Sequence, residues 1–261
     1  MPGEVIVDRP ADGVLRLAIS NPVKRNALDH AILAAISREL SAPGDARCVI
    51  VTGRGGMFSS GYDIGEIDPE DFAEEAEKLV AQPFCNALAA LDASDVPTLA
   101  VLTGATIGGG LELALACDLR LASDHIKLGM PPARLGLVYS HTGLRRFIDA
   151  IGEPRTRELF LLGRYIDAAT ARTWGLVNWV VDEDELEANA LELATQLAGN
   201  SPLSMAGNKR VLRELLHAEG ALDPDVEREM LALRAASFRS QDLLEGVSAF
   251  TQKRAPSWKG R

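Results

Sequence analysis

The chain has 261 residues, of which 47% are hydrophobic and 25% charged, and its formal net charge is -10 at pH 7. A chain of this length can bury one large core, or one core with a small appendage. The acidic balance excludes a general electrostatic attraction to nucleic acid or to an anionic membrane, so a bound phosphate would need a local cationic cluster. We therefore expect no nucleic-acid or membrane partner.

The cysteines, the histidines and the N-terminal segment give no sign of a disulfide framework, a metal site or a targeting signal. The three cysteines, at positions 48, 85 and 117, are far apart and lack C-x-x-C spacing. The four histidines form no H-E-x-x-H pattern, so no metal is expected. Residues 1–14 contain acidic residues and no apolar run. No stretch has membrane-spanning length, and a cytoplasmic location is expected.

The first part of the chain alternates strand and helix patterns. Glu4–Asp8 and Val14–Ile19 alternate as strands around a turn. Asp29 is placed to cap a helix that continues through Leu40. Further strands are predicted at residues 48–52, 98–103 and 118–122, with helical segments between them. This alternation predicts an α/β fold with a largely parallel sheet.

The pattern becomes wholly helical beyond Pro202. Helices are predicted over residues 203–216, 225–239 and 243–253. We place the domain boundary at this point, with a core over residues 1–200 and a helical region over residues 201–261.

A glycine-rich loop inside the core has the composition of an active site. Residues 104–118 lead from an apolar strand into three glycines at positions 108–110, and then place Glu112 in an otherwise apolar helix. Glycines let backbone N–H groups approach a ligand with no Cβ in the way. A helix N-terminus favours negative charge, and Glu112 in its first turn is a candidate acid or base. Taken alone, the same residues also fit a plain turn followed by a glutamate that the helix dipole favours.

A second small-residue loop, at residues 57–66, follows the strand predicted at residues 48–52. Each of the two loops can give one backbone N–H to a single carbonyl oxygen. Two fixed donors are what the stabilisation of an enolate requires. The two loops together therefore predict an oxyanion hole more strongly than either does alone.

Three segments, in this order, resemble the crotonase superfamily, also called the enoyl-CoA hydratase/isomerase family. Residues 21–28 resemble its N-P-x-x-x-N-A-L segment, residues 58–63 its F-x-A-G-x-D loop, and residues 107–112 its G-G-G-x-E motif. The similarity continues through residues 174–178 and covers nearly the whole chain. The resemblance implies an α/β spiral of ββα units with a C-terminal all-helical trimerisation region, and hence a homotrimer or a hexamer.

The same resemblance implies the site residues. It places the oxyanion-hole amides on Ser60 and Gly109, and the catalytic carboxylate on Glu112. No cofactor is implied, because coenzyme A enters as the thioester of the acyl substrate. Contacts to CoA are implied for Lys24, Arg25, Ala27, Ser60, Tyr62, Asp63, Ile64, Phe250 and Lys253. For any one of these, a solvated charge or ordinary packing is an equally good explanation.

The chain departs from the family's two-glutamate hydratase pattern. Pro132 stands where the second glutamate belongs, and residues 130–139 contain no acid. Hydration needs one group to activate water and another to manage the proton at the α carbon. Ordinary hydration is therefore disfavoured, whereas an isomerase can work with a single base and a decarboxylase forms its carbanion by losing CO2.

Residues 135–143 are similar to the malonyl-type CoA decarboxylase branch, including methylmalonyl-CoA decarboxylase, which has a tyrosine at the position of Tyr139. That branch has a histidine where this chain has Tyr62, so decarboxylase identity stays open. Tyr139 is either a catalytic substrate contact or a half-buried aromatic. The sequence is interpreted as a family lyase or isomerase that acts on an acyl-CoA through an enolate. The alternatives are a malonyl-type decarboxylase and a noncatalytic CoA-thioester binder.

Overall fold

A computed structural model describes residues 2–63, 81–200, 202–218 and 238–254, together with residues 225, 228, 231, 232, 235 and 236. Its strands are β1 Glu4–Ala11, β2 Val14–Ser20, β3 Cys48–Gly53, β4 Met57–Ser59, β5 Thr98–Leu102, β6 Ala105–Ile107, β7 Leu119–Ser123, β8 Lys127–Gly129, β9 Tyr165–Asp167 and β10 Trp179–Val181. Its α-helices are α1 His30–Ser41, α2 Gln82–Ala93, α3 Gly109–Ala116, α4 Pro132–Leu135, α5 His141–Leu162, α6 Ala168–Trp174, α7 Leu186–Gly199, α8 Pro202–Ala218 and α9 Gln241–Thr251.

The strands form two sheets. The larger has the order β1-β2-β3-β5-β7-β10, and the smaller has the order β4-β6-β8-β9. The pairs β1–β2 and β8–β9 are antiparallel, and the other paired strands are parallel. In three successive pairs, β3–β4, β5–β6 and β7–β8, the first strand joins the larger sheet and the second joins the smaller one. Helices follow these pairs, so the predicted α/β fold with repeating ββα units is confirmed.

The central strands are buried along their whole length because both faces of the larger sheet are covered. All residues of β3 and β5 are buried, as expected for parallel strands covered on both faces. On one face, α7 places buried residues every four positions, at Leu186, Ala190, Ala194 and Ala198, against the sheet. On the other face lies the main core, to which α1, α2 and α3 contribute. The sheet is therefore a rigid base for the loops that follow its strands.

Several local predictions are confirmed. Asp29 caps α1 by accepting a hydrogen bond from the Ile32 N–H at 2.9 Å. Glu112 lies in the first turn of α3. In the C-terminal part, α8 and α9 correspond to two of the three predicted helices. Of the fifteen residues of the helix predicted at 225–239, seven lie outside the described residues, and all but one of the described ones are helical. Of the helices that the structure describes, none is both long enough and apolar enough to span a membrane.

Candidate active site

The two small-residue loops touch through their backbones. Strands β4 and β6 are parallel neighbours, so their C-terminal ends, where the loops begin, lie at the same edge of the smaller sheet. Gly61 has φ +96°, a conformation that residues with a side chain rarely adopt. A Cβ at Gly61 would lie 2.9 Å from the carbonyl oxygen of Ile107 and 3.2 Å from the amide nitrogen of Gly109. Only glycine allows the loops to come this close.

Two backbone N–H groups have their directions fixed by neighbouring hydrogen bonds. The carbonyl of Gly61 accepts from the N–H of Leu28 at 2.7 Å. The C=O and N–H of a planar trans peptide point in opposite directions, so the N–H of Tyr62 points away from Leu28. The carbonyl of Gly108 accepts from the N–H groups of Leu111 and Glu112 at 3.0 and 3.2 Å. By the same rule, the N–H of Gly109 points out of the N-terminus of α3.

The backbone of Ser60 is engaged within the protein. Its N–H donates to the carbonyl of Arg25 at 3.1 Å, and its hydroxyl donates to the carbonyl of Lys24 at 3.1 Å. The structure therefore does not support the predicted role of Ser60 as an oxyanion donor. Because the loop turns at Gly61, the N–H that faces away from Leu28 is that of Tyr62.

A cavity of about 850 Å³, counted with its open mouth, lies beside the two loops. Gly109 and Tyr62 line it, as do the segment around Pro132 and, from α9, Leu243. Among the described residues of its lining, the polar side chains are hydroxyls and none is charged. Pro132 is buried and lines this cavity. The position that lacks the second glutamate is therefore a wall of the cavity.

Glu112 lies behind the cavity wall rather than in it. Its exposed fraction is 1%, and it is not among the residues that line the cavity. The hydroxyl of Tyr139, which does line the cavity, donates to Oε2 of Glu112 at 2.5 Å. The hydroxyl of Tyr62 lies 3.3 Å from that of Tyr139. The three side chains thus form one hydrogen-bonded row that connects the cavity with the buried carboxylate.

Tyr139 is held as a neutral hydroxyl. Burial, and then the negative charge of Glu112, raise the pKa of Tyr139 well above its usual value of 10.0. Its ring packs edge-on against Phe160, with the ring centroids 5.4 Å apart. A Cβ at Gly143 would lie 2.6 Å from the Tyr139 ring and 2.9 Å from a carboxylate oxygen of Glu112. Because Gly143 has no side chain, Tyr139 and Glu112 have room to form their hydrogen bond. The sequence analysis missed this role of Gly143.

Asn26 is a second residue whose role the sequence analysis missed. It is buried and has φ +55°, next to Arg25 with φ +53°. Its side-chain nitrogen donates to the carbonyls of Arg54 and Met57 at 2.8 and 2.7 Å, and its own carbonyl accepts from the hydroxyl of Ser59 at 2.7 Å. Asn26 therefore joins the loop at residues 21–28 to the loop that carries Tyr62. Asparagine adopts positive φ more readily than most residues, because its short polar side chain can hydrogen-bond locally. An asparagine in this loop is the sequence signal that could have identified the role.

The residues predicted to contact CoA differ in their exposure and in their partners. Lys24 forms an ion pair with Asp63 at 2.7 Å. Arg25 is exposed, whereas Ala27 is buried. On and just beyond α9, Phe250 and Lys253 are exposed. Ile64 lies outside the described residues. The contacts of these residues to CoA remain predictions.

The sequence family follows from comparison with known proteins. A family model described as enoyl-CoA hydratase/isomerase matches residues 9–261. The chain belongs to the enoyl-CoA hydratase/isomerase family. The superfamily resemblance stated above, to the crotonase proteins, is thereby confirmed, and so is the expectation of a family member that acts on an acyl-CoA.

Individual relatives of this family member differ in their named activities. The chain is 35% identical to a 2,3-dehydroadipyl-CoA hydratase of Escherichia coli (strain K12), with 99% of each chain covered. It is 33% identical to a carnitinyl-CoA dehydratase of Salmonella typhi, with 95% of this chain and 98% of the relative covered. Among solved structures, a methylmalonyl-CoA decarboxylase in complex with 2-nitronate-propionyl-CoA has a TM-score of 0.89 and 26% identity, with 99% of each chain covered.

Within the part of the chain that is described, no group of three or more His, Cys, Asp or Glu residues is arranged to hold a metal ion.

The contact between the two loops can be tested with a pair of glycine substitutions. Gly61→Ala places a Cβ against Ile107 and Gly109, so we expect the loops to separate and turnover of an acyl-CoA substrate to fall by about 10² or more, as when an oxyanion donor is lost. Gly55→Ala is the matched control, because Gly55 also has positive φ, at +71°, but no atom lies within 4 Å of its Cβ position. Steady-state kinetics and thermal unfolding of both variants provide the measurement. Equal losses of activity in the two variants would contradict the loop-contact account.

Proposed function

We propose that the protein catalyses a reaction of an acyl-CoA through a thioester enolate whose oxygen is bound by the N–H groups of Tyr62 and Gly109. This proposal rests on the fixed directions of the two peptides and on the position of both residues in the cavity wall. Two fixed N–H donors on one oxygen stabilise the charge that develops on it. Tyr62 thereby takes the oxyanion role that the resemblance had given to Ser60.

We propose further that Glu112 exchanges a proton with the α carbon of the substrate through the hydroxyl of Tyr139. The carboxylate is 1% exposed and the tyrosine hydroxyl lies between it and the cavity. When an enolate is protonated, Tyr139 gives its proton to the α carbon and receives one from protonated Glu112. When an α proton is removed, both transfers run in reverse. The arrangement therefore needs one carboxylate, which agrees with the absence of an acid from residues 130–139.

Decarboxylation of a malonyl-type CoA is the specific reaction that the cavity favours. Its described lining contains hydroxyls and apolar groups but no carboxylate that could activate water. Loss of CO2 generates the enolate without a base. In this proposal the hydroxyl of Tyr139 orients the departing carboxylate and then protonates the α carbon, and protonated Glu112 replaces the proton that Tyr139 gives. The structural similarity to methylmalonyl-CoA decarboxylase supports this candidate, while the names of the sequence relatives support hydration. A noncatalytic CoA-thioester binder would have no use for a buried, hydrogen-bonded Glu112.

We also propose that the protein is a homotrimer or a hexamer, as the family resemblance implies. Apolar side chains that are more than half exposed lie on α8, at Val211, Leu212 and Leu216, and on α9, at Phe250. Exposed apolar groups of this kind often mark a protein interface. Light scattering should give three or six times the mass of the chain. A monomer in solution would contradict the assembly.

A panel of CoA thioesters tests the reaction. With methylmalonyl-CoA or malonyl-CoA, we expect the wild-type protein to release CO2 and form the shorter acyl-CoA, which mass spectrometry detects. With crotonyl-CoA, we expect kcat/KM below about 10⁴ M⁻¹s⁻¹, the lower end of the usual enzymatic range. Efficient hydration of crotonyl-CoA would contradict the single-carboxylate mechanism, and no turnover of any thioester would favour the noncatalytic binder.

The same panel tests Glu112. Glu112→Gln keeps the size of the side chain but removes its ability to exchange a proton, so turnover should fall by about 10² or more, the scale of general acid–base catalysis. Binding of the thioester should change little, because Glu112 does not line the cavity. Glu153→Gln is the control, since Glu153 is an exposed glutamate of α5. Undiminished turnover by Glu112→Gln would remove this residue from the mechanism.

A further inference from the structure

The side chain of Tyr62 is held in a defined position by its contacts, as its backbone is. Its ring packs edge-on against Phe84, with the centroids 4.8 Å apart. A Cβ at Gly109 would lie 2.5 Å from Cε1 of Tyr62, so the ring covers the glycine whose N–H is the other proposed oxyanion donor. These two contacts hold the ring, and they bring the Tyr62 hydroxyl to 3.3 Å from the Tyr139 hydroxyl.

The hydrogen bonds of Tyr139 determine which way the bond between the two tyrosines runs. A hydroxyl has one proton to donate and two lone pairs with which to accept. The proton of Tyr139 is donated to Oε2 of Glu112. The hydroxyl of Tyr62 is therefore the donor, and the oxygen of Tyr139 is the acceptor.

We propose that Tyr62 is a positioning residue whose hydroxyl assists proton transfer by Tyr139. This inference rests on the function proposed above. When Tyr139 gives its proton to the α carbon, negative charge develops on its oxygen until the proton from Glu112 arrives. A hydrogen bond from Tyr62 stabilises that charge, and Tyr62 keeps its own proton throughout. Tyr62 thus contributes two groups to the reaction. Its N–H binds the thioester oxygen, and its hydroxyl donates to the oxygen of Tyr139.

Tyr62→Phe tests this role, because it removes the hydroxyl and keeps the ring, its packing and the backbone N–H. We expect kcat to fall about tenfold, the scale of one hydrogen bond, with KM within about a factor of two because substrate binding is retained. Tyr165→Phe is the matched control, since Tyr165 is half-exposed on β9 and does not line the described cavity. It should leave kcat unchanged.

A double-mutant cycle separates positioning from a merely structural effect. In a Tyr139→Phe background, the further change Tyr62→Phe should have no effect on kcat, because the group through which Tyr62 acts is gone. An equal loss in both backgrounds, or an unchanged kcat for Tyr62→Phe alone, would overturn the inference and leave the proposed function standing. Full turnover by Tyr139→Phe would overturn the proposed proton pair, and the role of Tyr62 with it.

Discussion

The close backbone contact between Gly61 and the loop at residues 107–109 is the constraint on which the site depends. The parallel pairing of β4 with β6 brings the two loops to the same edge, and the positive φ of Gly61 turns the chain there. That turn directs the carbonyl of Gly61 to Leu28 and hence the N–H of Tyr62 the opposite way. The hydrogen bonds of Asn26 fix the loop from behind. Two N–H groups from distant parts of the chain have their directions fixed in this way, as the oxyanion hole that we propose requires.

The burial of Glu112 is the second determinant of the chemistry. A carboxylate in an apolar helix must be hydrogen-bonded, and Tyr139 supplies a bond from the side of the cavity. The consequence is that a hydroxyl, not a carboxylate, faces the cavity. Such a site can deliver or remove one proton at a carbon atom, but the described lining of the cavity has no carboxylate that could activate water. Pro132 in the cavity wall supports the decarboxylation that we propose, whereas several sequence relatives are named hydratases.

Much of the fold could be predicted from the sequence, because it depends on local patterns. The buried strands, the Asp29 cap and the position of Glu112 in the first turn of α3 follow from hydrophobic periodicity and capping. The proposed oxyanion donor Tyr62 could not be identified in this way, because the direction of a single N–H depends on the φ of Gly61 and on a bond to Leu28. The contact between Tyr62 and Tyr139 could not be predicted from the sequence either, because it joins residues far apart in the chain. The spiral itself was predicted from the family resemblance, not from periodicity.

A crystal structure with a non-hydrolysable acyl-CoA analogue tests the central claim most directly, through the position of the thioester oxygen. The account predicts that this oxygen lies about 2.7–3.1 Å from the amide nitrogens of both Tyr62 and Gly109, the distance of an oxyanion-hole hydrogen bond. It also predicts that the hydroxyl of Tyr139 is the nearest protein group to the α carbon, with Glu112 behind it. A thioester oxygen bound by the N–H of Ser60, or Glu112 in direct contact with the α carbon, would contradict the account.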